Sequence, residues 1–242
     1  MDFNIKKPTH IFALLVIVFA FILIIILPIL TFFGFFSTSG EITVVSEYAL
    51  LLGSIITVMI FVLTPVIWYL LVNNFGFKEI LNALKLRMER IDEAFLWGIL
   101  TAIAMFLMVI GIGYLLYATG IVDQETDISN IEVLAGNLSI FSMFFIIVFQ
   151  SIGEEIFFRG FLLEKIDSFA GKNIAILVTA ILFGLAHMSY GKLYPTFIPM
   201  LMGIFLGYIV FKTKNLYAAI TAHMLYNLAS FIVYLFAKTL GG

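Results

Sequence analysis

The chain has 242 residues, of which 63% are hydrophobic and 12% charged, with a formal net charge of -2 and no cysteine. Soluble domains run about half apolar and about a quarter charged, so this composition is that of an integral membrane protein. It excludes disulfides, thiolate metal sites and a cysteine nucleophile, and it has no basic cluster of the kind that binding nucleic acid requires.

A spanning helix needs roughly 20 mostly apolar residues. After MDFNIKKPTH, an uncharged run extends from Ile11 to Gly40. It is longer than a signal-peptide core and lacks a small-residue cleavage site, so it reads as a retained first helix. The expected spans are Ile11–Phe36, Tyr48–Val72, Ala94–Thr119, Leu138–Leu163, Ile174–Met188, Tyr194–Phe211 and Leu216–Ala237. The fifth is short. The expectation is an all-α, polytopic bundle of seven spans, with eight as the alternative. It forms a single membrane domain over 1–242, with N-terminal helices at 11–36, 48–72 and 94–119 and a motif-bearing core over 138–237. No internal repeat is visible.

Between the second and third spans lies KEILNALKLRMERIDE, residues 78–93, where Ile80, Leu81, Leu84, Met88 and Ile91 fall on one helical stripe. That pattern predicts an amphipathic helix lying on the membrane surface as an anchor. Lys and Arg mark cytoplasmic loops. With the N-terminus inside, Lys6, Lys7, Lys78, Lys85, Arg87, Arg90, Lys165, Lys172, Lys212 and Lys214 all lie inside, and only Lys192 and Lys238 lie outside. The acids Glu41, Glu47, Asp123, Glu125, Asp127 and Glu132 then sit in outer loops. The expected location is the plasma membrane, with a cytoplasmic N-terminus.

The stretch QSIGEEIFFRGFL, from Gln150 to Leu162, places Glu154, Glu155 and Arg159 in an otherwise apolar span. An ionisable side chain at a helix centre costs about 2.5–3.5 kcal/mol on insertion scales and usually marks a functional site. Successive residues diverge by about 100° around a helix, so the two glutamates face different ways. Glu155 and Arg159 are spaced i, i+4 with the acid first, the favoured order for a helical ion pair; Glu154 is then left free. Of the three histidines, His10 reads as an interface residue. His187 ends FGLAH, and His223 begins HMLYN, which puts Asn227 on its face of the last helix. Counting from the nearest lysines at about 1.5 Å per residue, Glu154, His187, His223 and Asn227 rise about 16, 22, 14 and 20 Å into the membrane. A lone intramembrane His or Asn is more often a packing residue; it is the coincidence of depth on three helices that points to a site.

GEEIFFR matches an EExxxR motif, FGLAH an FxxxH motif and HMLYN an HxxxN motif, in that order. With these the chain resembles the CAAX-protease and bacteriocin-processing (CPBP, or Abi) family of intramembrane endopeptidases, which includes the proteases that trim prenylated CAAX proteins. The resemblance covers roughly Ile152 to Asn227. It implies peptide-bond hydrolysis with Glu154, His187 and His223 as the central catalytic set. Glu154 can serve as general base toward water and His187 can hold that water, while His223 and Asn227 can donate to the developing oxyanion. Glu155 and Arg159 would support Glu154 from behind. No cofactor is expected. Zinc on Glu154, His187 and His223, with water as fourth ligand, stays open as the alternative. The expected partners are membrane lipid and a hydrophobic or prenylated peptide or protein. No HExxH, GxSG or GxSxG occurs, and the aspartates all lie in loops or the tail. The rival readings are a non-catalytic immunity or scaffold protein of the same family and an ion-coupled transporter, although the paired repeats of transporters are missing.

Overall fold

The computed structural model describes residues 3–35, 46–120, 138–188 and 194–241. They form helices α1 (Pro8–Phe32), α2 (Glu47–Leu71), α3 (Phe77–Ala83), α4 (Ile91–Ala118), α5 (Ile140–Ala170), α6 (Lys172–Ala186), α7 (Tyr194–Thr213) and α8 (Leu216–Gly241). Among the described residues there is no strand. Among the described residues six helices are long and apolar enough to cross a membrane: α1, α2, α4, α5, α7 and α8. α6, the fifth expected span, has 15 residues. At about 1.5 Å per residue it falls short of a bilayer core of about 30 Å. The acidic outer loops at 121–137, Glu41 and Lys192 lie outside the described residues.

α5 is the central helix. Every residue from Gly153 to Leu163 is buried, and the helix packs against α2, α6, α7 and α8. The other spans turn large apolar side chains outward, among them Phe12 and Leu15 on α1, Met59 on α2 and Leu107 and Ile110 on α4. Such faces are satisfied by lipid rather than water. α5 outlasts its expected end at Leu163 because its last turns are tied down: the Tyr69 hydroxyl donates to Glu164 Oε2 at 2.7 Å, and the Lys165 ammonium lies 4.6 Å from the centre of the Tyr69 ring. Gly171 then breaks the chain at φ +83°, ψ 164°, a conformation open essentially to glycine alone. At the opposite end Glu47 accepts from the Ser139 backbone N–H at 3.0 Å and from the Ser142 hydroxyl, joining α2 to α5.

Two helices contain wider, π-type turns, at Ile22–Ile26 in α1 and Ile156–Leu162 in α5. The first has a local cause. Pro28 lacks an N–H and its ring crowds the carbonyl four residues earlier, so the preceding turn opens. The second begins directly after the glutamate pair.

The expected surface helix over residues 78–93 is not formed. α3 ends at Ala83, and Lys85 and Arg90 adopt left-handed φ values of 59° and 54°. Ile80 and Leu84 are buried in the bundle while Met88 is exposed, so the stripe is split. The segment docks instead on the start of α8. Leu216 N–H donates to Lys85 O at 2.9 Å, and the Asn215 amide donates to Arg87 O at 2.8 Å. Burial pulls the Lys85 ammonium below the usual lysine range, against the pull of Glu164 and Asp167. His10, at the start of α1, is buried within the protein, and its Nδ1 accepts the Asn4 backbone N–H at 2.9 Å beneath Phe3.

Candidate active site

The site is built around the middle of α5. Glu155 and Arg159 are both wholly buried, with Arg159 Nη1 2.8 Å from Glu155 Oε1. The same oxygen accepts from His223 Nδ1 of α8 at 2.9 Å. Glu155 therefore faces two donors on two helices. Arg159 has a further neighbour: its guanidinium carbon lies 4.1 Å from the centre of the Phe183 ring of α6. Glu155 Oε2 and Arg159 Nε and Nη2 have no hydrogen-bond partner among the described residues, so the ring face is what balances the rest of the cation. The room for this comes from Gly203 of α7. A Cβ there would stand 2.8 Å from Ala180 Cα and 3.3 Å from Arg159 Nη2.

Glu154 faces elsewhere. Its Oε1 accepts from the Gln150 side-chain amide at 3.1 Å, and its Oε2 lies 3.8 Å from His223 Nε2. It is 7% exposed and lines a cavity of about 270 Å³ between α1, α2, α5 and α6, together with Leu23, Ile24, Thr57, Phe61 and His187. The wider turn of α1 thus forms one wall, opposite the glutamate. The polar wall continues through Gln150, whose Oε1 accepts from the Ser54 hydroxyl at 3.4 Å.

His187 caps the C-terminus of α6. Its Nδ1 lies 2.7 Å from Phe183 O. A carbonyl only accepts, so Nδ1 carries the proton and Nε2 the lone pair in the neutral ring. By the same argument Glu155 fixes His223 with its proton on Nδ1. Phe183 meets His187 and His223 edge-on, with ring centres 4.8 and 5.6 Å away. Asn227, one turn beyond His223, donates from Nδ2 to Ser151 Oγ at 3.1 Å.

Of the six residues singled out in the sequence, Glu154, Glu155, Arg159 and His223 form one contact network, and His187 shares the cavity with Glu154. Asn227 is held at the side by Ser151; neither it nor His223 lines the cavity. Sequence reasoning missed Gln150, Ser54, Ser151 and the role of Phe183. Two signals were present: Gln150 is a polar residue four before Glu154, and Phe183 opens the second motif. Among the described residues no three His, Cys, Asp or Glu side chains are gathered so as to hold a metal ion.

Residues 136–229 match the family model described as type II CAAX prenyl endopeptidase Rce1-like. With six helices long and apolar enough to cross a membrane, the chain is a multi-pass membrane protein. No curated protein and no solved structure matches it.

Proposed function

We propose that the protein is an intramembrane endopeptidase that hydrolyses a peptide bond near the C-terminus of a hydrophobic or prenylated, CAAX-type protein or peptide, using water activated by a glutamate and no metal. One observation carries the reading: Glu154 is buried at the wall of a cavity it shares with His187, and His223 Nε2 lies 3.8 Å from its Oε2. Its neighbour Glu155 is instead wholly buried against Arg159.

In this reading the water sits between Glu154 Oε2 and His187 Nε2. The water oxygen attacks the scissile carbonyl carbon, and Glu154 takes the proton that the water loses. Negative charge moves to the carbonyl oxygen. His223 in its protonated form donates Nε2–H there while Nδ1–H stays on Glu155, and Asn227 offers the N–H that Ser151 does not use. Collapse of the tetrahedral intermediate breaks the C–N bond, and the proton held by Glu154 passes to the leaving amine. Arg159 pairs with Glu155 on the far side of His223. The apolar walls from α1 and α2 fit a hydrophobic substrate and hold bulk water out, which strengthens each of these interactions.

The test is cleavage of a quenched fluorescent farnesylated CAAX peptide by purified protein in proteoliposomes, with and without a zinc chelator. The expected outcome is cleavage that the chelator leaves intact. Loss to the chelator, restored by zinc, would overturn the metal-free mechanism. No cleavage at any peptide length would favour the non-catalytic family role instead.

A further inference from the structure

Gln150 lies outside all three motifs, yet its side chain holds the Glu154 carboxylate by a direct hydrogen bond, 3.1 Å from Nε2 to Oε1. Its own amide is fixed from the other end, because the Ser54 hydroxyl on α2 lies 3.4 Å from Gln150 Oε1. A hydroxyl donates to the amide oxygen and an ionised carboxylate accepts from the amide nitrogen, so the two partners together allow only one orientation of the amide. The chain Ser54–Gln150–Glu154 runs from α2 to α5 along the polar wall of the cavity. Its consequence falls on Glu154. With Oε1 occupied, Oε2 is the oxygen presented toward His223 Nε2 at 3.8 Å.

We propose that Gln150, oriented by Ser54, is a positioning residue that locks the Glu154 carboxylate so that Oε2 is the atom that receives the proton from water. The inference rests on the hydrolase reading above and deepens it. Gln150 takes no proton and forms no bond to substrate; it fixes which carboxylate oxygen faces the reaction. Without it, Oε1 is left unpaired at the cavity wall and the carboxylate rotates toward other donors. Misplacement of about 1 Å in a catalytic group is enough for a loss of roughly 100-fold.

The experiment compares wild type, Gln150→Leu, Ser54→Ala and the double variant on the farnesylated peptide in proteoliposomes. The variants' thermal unfolding midpoints are measured alongside. Gln150→Leu is expected to lower kcat roughly 10- to 100-fold with KM unchanged. Ser54→Ala is expected to lower kcat about 2- to 5-fold, and the double variant to be no worse than Gln150→Leu alone, because both act through one carboxylate. Equal kcat in wild type and Gln150→Leu overturns the proposal, as do a loss carried entirely by KM and losses that multiply in the double variant. A substrate-free reading keeps this separate from the hydrolase assignment: the infrared carboxylate band that Glu154→Gln removes should shift or broaden in Gln150→Leu. If that band is unchanged, the positioning role fails even where the peptide is cleaved. If the band responds and wild type cleaves nothing, the hydrolase assignment fails and only the contact survives.

Discussion

Glu154 and Glu155 are consecutive on α5, yet the two sides of the helix treat them differently. On the Glu155 side the carboxylate meets Arg159 at 2.8 Å and His223 at 2.9 Å, with Phe183 against the guanidinium, and nothing there is exposed. On the Glu154 side the carboxylate accepts from a neutral donor, Gln150, and faces a cavity shared with His187. Burial of charge is tolerated where it is paired, and it is left incompletely paired where a reaction is to happen. His223 touches both sides, with Nδ1 on Glu155 and Nε2 toward Glu154. The closed side thus acts as a rigid mount that sets the angle of the open side's histidine.

The comparison breaks most easily at Arg159. Removing one partner of a buried ion pair leaves an uncompensated charge and costs about 3–5 kcal/mol. Arg159→Leu is therefore expected to lower the thermal unfolding midpoint sharply, and a midpoint equal to wild type would show that the closed side is no mount. A smaller effect is expected at Gly203, where α7 passes close to Ala180 and Arg159. Gly203→Val overpacks that contact, at about 1–3 kcal/mol. It should lower the midpoint moderately and weaken cleavage by displacing Arg159. Full activity with a lowered midpoint would mean that the mount tolerates movement.

The sequence made the closed side readable and the open side only partly so. The Glu155–Arg159 pair follows from i, i+4 spacing alone, and the six long spans follow from runs of apolar residues. The partner of the pair across the bundle does not: nothing in HMLYN says that His223 turns Nδ1 to Glu155, because that depends on how α8 packs on α5. The surface-helix reading of residues 78–93 failed because an apolar stripe cannot reveal left-handed turns at Lys85 and Arg90, both of which are set by docking on Asn215 and Leu216. The burial of His10 was not legible because it comes from Phe3 and Asn4 folding back over it, whereas the shortness of α6 was already visible in its apolar run. The two wider turns differ in the same way: Pro28 announces the one in α1, whereas no residue announces the one in α5.

The most direct test of the account is Glu154→Gln, assayed for peptide cleavage and for thermal unfolding on the same preparation. The substitution keeps the shape and still lets Gln150 donate, but it cannot accept a proton. A general base contributes about 10²–10⁴-fold, so cleavage should fall by about that factor while the unfolding midpoint stays within the scatter of wild type. Cleavage at the wild-type rate in a folded variant would contradict the assignment of Glu154 as the base, and with it the division of labour between the two glutamates.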